Sequence, residues 1–237
     1  MFKKPEIIVA LDTKDFDSAK KIVDAIGEKI LYYKVGLESF VLFGHKLIEY
    51  LKLNDKKVFL DLKFHDIPNT VSGAVTSAAE IGIDILNLHC QGGFDMMKTA
   101  SDNLKSYCEK RNILKPILIG VTLLTSLDSK YFSEMKLNWD STEDYVGFLA
   151  RSARDAGLDG VVSSAKEVKY IKQICGENFL TITPGIRPAF AGNDDQKRIV
   201  TPGDAVKLKT DFMVIGRPIT KHENPALAVD MIKEEMK

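Results

Sequence analysis

A chain of 237 residues with 45% hydrophobic side chains is long enough to bury one large core. Its 33 basic and 33 acidic residues balance, so no overall field favours nucleic acid or an anionic membrane, and neither partner is expected. The three cysteines, Cys90, Cys108 and Cys175, are odd in number, widely spaced and without a CxxC pair. That pattern fits reduced thiols in a cytoplasmic protein and argues against a disulfide frame or a zinc site.

From the N-terminus, Met1-Phe2-Lys3-Lys4-Pro5 leads into a short apolar run, Ile7–Leu11, which ends at Asp12. The run is too short for a signal-peptide core or a membrane span, and no later run is long enough to cross a bilayer. It reads as a strand, followed by a helix over Phe16–Ile26. Leu31–Val35 is the next strand, carrying Lys34 near its end, with a helix over Ser39–Leu53. Val58–Leu62 and a helix over Asn69–Ile81 form the third unit, and Ile83–Leu88 and Gly93–Arg111 the fourth. Ile117–Val121 is the fifth strand, with Thr122, Thr125 and Ser126 after it, and a helix over Glu143–Ala156. Gly160–Val162 is followed by Ser163-Ser164 and a helix over Ala165–Ile174. Phe179–Thr183 leads into Pro184-Gly185-Ile186-Arg187, with a short helix at Asp204–Leu208. Phe212–Ile215 leads into Gly216-Arg217-Pro218, and Asn224–Glu235 closes the chain. About eight strand-then-helix units in roughly 250 residues is the count of a single-domain (β/α)8 TIM barrel. An open doubly wound sheet is the competitor, but it usually has fewer strands, and no GxGxxG follows the first strand.

In such a barrel, chemistry sits at the C-terminal ends of the strands, where this chain places a polar or glycine-bearing element almost every time. The densest is Asp61-Leu62-Lys63-Phe64-His65-Asp66-Ile67-Pro68-Asn69-Thr70. Strand alternation puts Asp61 and Lys63 on one side, and His65, past the end of the apolar run, is expected to point away. A charge on a core-facing side costs several kcal/mol unless paired. A structural ion pair with Asp66 as a helix cap would satisfy that requirement. So would an active site in which Lys34, Asp61, Lys63 and Asp66 neutralise and position one another. Carboxylates on either side of Lys63 stabilise its ammonium, which argues against a Schiff base and for proton donation to a developing carbanion. The loops after strands seven and eight commonly hold phosphate in this architecture. Gly216 permits close backbone approach and Arg217 offers a bidentate donor set. The polar stretch 188–197 has the composition of a lid or of an ordinary surface loop.

Asp61-x-Lys63-x-x-Asp66-Ile67-Pro68-Asn69-Thr70 resembles the orotidine 5′-phosphate decarboxylase family in its compact bacterial form. Lys34 upstream and Pro184-Gly185-Ile186-Arg187, Asp195-Gln196 and Gly216-Arg217 downstream carry the same likeness over nearly the whole chain. Asp-x-Lys-x-x-Asp alone is shared with related sugar-phosphate lyases, whereas the extension through Ile67-Pro68-Asn69-Thr70 is far more specific. The chain departs at Cys90, where the family often has alanine, and at Lys209, near which it often has glycine.

The resemblance implies a cofactor-free decarboxylation of orotidine 5′-monophosphate to UMP, the last step of de novo UMP biosynthesis. It implies Lys63 as the acid that protonates C6, Asp61 facing the leaving carboxylate, and Lys34 holding Asp61 and reaching the ribose. Asp12 would contact ribose hydroxyls, and Thr125 and Ser126 the pyrimidine. Arg187, Gln196, Gly216 and Arg217 would hold the phosphate, with Gln196 on a closing lid. Asp66 and Thr70, with Ile67 between them, would reach the partner's site across a homodimer. Two other readings stay open on the residues: a magnesium-dependent sugar-phosphate lyase, which generally needs a further acid on this strand or the next, and a non-catalytic nucleotide-phosphate binder.

Overall fold

Local sequence accounts for the first helix. In a computed structural model, described here for residues 4–191 and 200–237, Asp15 caps α1 (Phe16–Ile26) by accepting from the Ser18 N–H at 2.7 Å. Ala19, Ile22, Val23 and Ile26 recur at helical spacing and are all buried. Gly27, at φ +57°, ends the helix.

The same alternation repeats around the molecule. The strands are β1 (Glu6–Ala10), β2 (Tyr32–Gly36), β3 (Lys57–Phe64), β4 (Ile85–His89), β5 (Ile117–Val121), β6 (Gly160–Val162), β7 (Leu180–Thr183) and β8 (Phe212–Ile215). Each pairs in parallel with the next, and β8 closes onto β1 to complete a TIM barrel. Between them run α2 (Leu37–Leu53), α3 (Pro68–Glu80), α4 (Phe94–Arg111), α5 (Lys130–Glu134), α6 (Thr142–Asp155), α7 (Val168–Cys175) and α8 (Pro202–Lys207). After β8 come α9 (Arg217–Thr220) and α10 (Pro225–Glu235).

Alternation along the strands divides the core in two. Ile8, Phe59, Ile85, Ile119 and Val214 belong to a cluster inside the barrel. Their neighbours Val9, Val58, Leu60, Leu86 and Leu118 pack outward under the helices. Two residues beyond Tyr32, Phe59 and Ile85, the same parity presents Lys34, Asp61 and Asn87 to the barrel's C-terminal mouth.

The opposite end is held by a repeated clasp. Asp84, Asp159 and Asp211 stand one residue ahead of β4, β6 and β8. Their Oδ2 atoms accept from the backbone N–H groups of Val58, Leu118 and Thr181 on the preceding strands, at 2.8, 2.7 and 2.7 Å. Each also takes a lysine ammonium, from Lys52, Lys115 and Lys172 in turn, at 2.8, 2.6 and 2.7 Å. Charge-assisted bonds of this kind stitch alternate strand pairs together at the face away from the chemistry.

Several boundaries differ from the sequence reading for identifiable reasons. The fourth strand starts at Ile85 rather than Ile83, because Asp84 forms the clasp. The predicted helix 165–174 is a 3₁₀ turn, Ala165–Glu167, closed by a capping box at Ser164, and then α7. Helices α5 and α9 are too short to give a periodic signal. No helix of the described residues is long and apolar enough to cross a membrane, and all three cysteines are free.

Candidate active site

The top of β3 is irregular, and the site is built around that irregularity. Against β4, Leu60 pairs with Leu86 and Phe64 with Leu88, so Asp61, Leu62 and Lys63 together face the single residue Asn87. This is a bulge, which leaves β3 residues without ladder partners. Lys63 sits in it with φ +53°, a left-handed conformation that costs a non-glycine residue about 1–2 kcal/mol. The expected meeting of Lys63 and Asp61 does occur, at Nζ–Oδ1 2.7 Å, but on a bulge rather than on regular alternation. His65 packs its ring against His89, with centroids 5.3 Å apart. Burial, then the charges of His65 and Lys63, lower the His89 pKa.

Four charges form a row. Asp12 Oδ1 lies 3.1 Å from Lys34 Nζ, which lies 3.3 Å from Asp61 Oδ2, while Asp61 Oδ1 holds Lys63. Burial alone would neutralise both central groups. For Lys34 the charges of Asp61 and then Asp12 outweigh it, and the net shift is upward. For Asp61 the charges of Lys34 and then Lys63 outweigh it, and the net shift is downward. Lys34 stays an ammonium and Asp61 a carboxylate. Gly36 leaves the room this row needs: a Cβ there would stand 2.7 Å from Lys34 Nζ and 2.9 Å from Asp12 Oδ1.

Lys34, Asp61 and Lys63 line a cavity of about 180 Å³ whose other walls include Phe59, Leu123, Thr125, Ser163 and Pro184. One side is charged and the rest mainly apolar, which suits a flat ring bearing a small ionised group. A second cavity, about 270 Å³, shares Lys34, Pro184 and Val214 with the first and adds Asp12, Gly185, Arg187, Gly216 and Arg217. Arg187 is held by Val200, whose carbonyl accepts from its N–H at 2.9 Å, and Val200 in turn donates to the Gly185 carbonyl. Arg217 opens α9 directly after Gly216. The two arginines give this end the donors a phosphate needs.

Of the expected site residues, the structure gathers Asp12, Lys34, Asp61, Lys63, Thr125, Arg187, Gly216 and Arg217 around these two cavities. Ser126 is exposed and does not line the first cavity. Asp195 and Gln196, with the lid expected around them, lie outside the described residues. Asp66 does not cap the following helix: the N-cap of α3 is Ile67, with no side-chain bond, and Asp66 Oδ1 accepts from the Ile67 N–H instead. Nor does Asp66 pair with Lys63 of its own chain among the described residues. Asp66, Ile67 and Thr70 are all exposed, and Ile67 is 67% exposed. Phe59, Leu123 and Asn87 escaped the sequence reading. Phe59 and Asn87 share the inward parity of Asp61, and that parity was the available signal.

A barrel with a lysine–carboxylate row at one end of its mouth and two arginines at the other is an enzyme shaped for a small phosphorylated molecule. The chain belongs to the orotidine 5′-phosphate decarboxylase / HUMPS family, whose model matches residues 5–232. It is 46% identical over 232 residues to an orotidine 5′-phosphate decarboxylase of Legionella pneumophila, covering 98% of this chain and 99% of that one. The enzyme of the same description from Saccharophagus degradans is 44% identical over 232 residues, covering 98% and 95%. The crystal structure of orotidine 5′-phosphate decarboxylase from Lactobacillus acidophilus superposes with a TM-score of 0.85 at 36% identity, covering 99% of this chain and all of that one.

Proposed function

We propose that the charged row performs the family's reaction with the chain's own side chains. The reaction is the decarboxylation of orotidine 5′-monophosphate to UMP, a step of pyrimidine biosynthesis. The observation that carries the assignment of roles is the double ammonium hold on Asp61, at 2.7 Å from Lys63 and 3.3 Å from Lys34.

The pyrimidine occupies the first cavity with its carboxylate towards Asp61, and Thr125, on the cavity wall, serves the ring. As the C6–carboxylate bond breaks, its electron pair stays on C6 and the Lys63 ammonium delivers the proton there. A fixed ammonium stabilises that localised charge without solvent reorganisation. Lys34 and Asp12 hold the ribose, while Arg187, Gly216, Arg217 and Gln196 hold the phosphate. Phosphate binding remote from C6 contributes energy that lowers the barrier at C6.

The donor chemistry favours this reading over a magnesium-dependent lyase. Both Asp61 oxygens already hold ammonium groups, and the β4 residue against it is an amide, Asn87, rather than a further acid. The active unit is a two-fold dimer in which Asp66 and Thr70 complete the partner's site. Support comes from their exposure and from the exposed apolar side chains Leu37, Val41 and Leu42 at the start of α2. Purified protein mixed with orotidine 5′-monophosphate should remove the orotate absorbance at an unchanged rate in EDTA. Activity lost in EDTA and restored by Mg²⁺ would favour the lyase instead.

A further inference from the structure

Asn87 is fully buried and takes no part in the roles assigned above, yet it touches two of their atoms. Its Nδ2 donates to Asp61 Oδ1 at 2.7 Å, and its Oδ1 accepts from the backbone N–H of Lys63 at 2.8 Å. The partners fix the amide's orientation. A backbone N–H can only donate, so it faces the amide oxygen. Asp61, held ionised, can only accept, so it faces the amide nitrogen.

The bulge explains the need for this side chain. Regular pairing would give the Lys63 N–H a carbonyl of β4, but three β3 residues face one β4 residue here. Asn87 replaces the missing ladder partner with its own carbonyl oxygen. The same amide saturates Asp61 Oδ1 together with Lys63 Nζ and leaves Oδ2 to Lys34. One side chain thus sets the carboxylate's rotation and holds the positive-φ backbone from which the Lys63 side chain departs.

We infer that Asn87 is a positioning residue for the decarboxylation, holding Asp61 and Lys63 in register through the two ends of one amide. The inference rests on the proposed role of Lys63 as proton donor.

The test compares Asn87→Asp and Asn87→Leu with the unmodified protein, with kcat and KM measured from about pH 5 to pH 8. Asn87→Asp keeps the acceptor for the Lys63 N–H but sets a carboxylate against Asp61. Like charges at that distance share a proton, with an apparent pKa raised above the usual carboxylate range. Protonation restores a donor to Asp61. The kcat deficit of Asn87→Asp should therefore be about 10²-fold near pH 8 and shrink at least about fivefold as the pH falls, with KM changed less than about threefold. Asn87→Leu fills similar space with no polar group, so its deficit should be of similar size and independent of pH.

A deficit for Asn87→Asp that runs parallel to the unmodified profile, or kcat within about twofold for both variants, would overturn the inference. Should Asn87→Asp not fold, hydrogen exchange at the Lys63 amide of the unmodified protein decides. Strong protection is expected, and exchange as fast as in an exposed loop refutes it. Lys63→Ala serves as the control. If that protein retains turnover, the proton-donor assignment fails. If it is inactive while the Asn87 variants are normal, only the positioning role fails.

Discussion

Replacing Lys34 with methionine keeps most of the side chain's bulk and removes one charge from the centre of the row. Lys34 and Asp61 side chains are only 11% and 13% exposed, and their charged atoms lie 3.3 Å apart. Removing one partner of a buried pair leaves the other uncompensated and costs about 3–5 kcal/mol. Asp61 keeps Lys63 and Asn87, which places the expected loss at the lower end of that range. Asp12 also loses its partner, but its side chain is 50% exposed and adds little. For a chain of this size, the loss corresponds to about 6–12 °C in Tm at neutral pH.

The pH dependence has a definite sign. In the unmodified protein the folded pKa of Asp61 lies below its ordinary value, first because the Lys34 charge offsets burial. That contribution is present above the unfolded carboxylate pKa, about 3.9, and is lost as the pH falls through the folded value. In Lys34→Met, burial is opposed only by Lys63 and Asn87, and the folded pKa of Asp61 rises. The variant's deficit should then be largest near pH 7 and narrow towards about pH 4, as the stranded carboxylate takes up a proton. Thermal melts of both proteins across that range measure it. A deficit that stays constant, or widens on acidification, would refute the electrostatic account of the row.

Three further outcomes are expected. Because Lys63 sits 2.7 Å from Asp61 in the first cavity, Lys63→Ala should fold normally by circular dichroism and lose at least about 10²–10⁴ in kcat. A near-normal kcat removes Lys63 from the mechanism. Arg217, on the second cavity, should matter for the phosphorylated substrate: Arg217→Ala should lose far more activity on orotidine 5′-monophosphate than on the unphosphorylated nucleoside, and equal losses would exclude a phosphate role. Because Asp66 is exposed and does not pair with its own Lys63, inactive Lys63→Ala and Asp66→Asn proteins refolded together should regain activity at roughly a quarter of all sites. Verified mixed dimers that stay as inactive as their parents would place Asp66 in its own chain's site.

Sequence by itself determined the periodic part of this protein. Apolar runs alternating with amphipathic stretches gave eight strand-then-helix units, because strand and helix periods are local properties of the chain. The helix over Phe16–Ile26 and the strands Ile117–Val121, Gly160–Val162 and Phe212–Ile215 match residue for residue. Chain order then placed Lys34, Asp61, Arg187 and Arg217 at strand ends. What the tertiary structure alone decided depends on relations between strands. The bulge at Lys63 arises from a register mismatch between β3 and β4, and a lysine gives no hint of the positive φ that a glycine would suggest. The clasps of Asp84, Asp159 and Asp211 join each aspartate to a backbone N–H 26, 41 and 30 residues away in turn. Asn87, an ordinary polar residue in its own strand, meets Asp61 and Lys63 because β4 pairs with β3 across the bulge. Pairing between strands is a non-local event, and no periodicity within either strand encodes it.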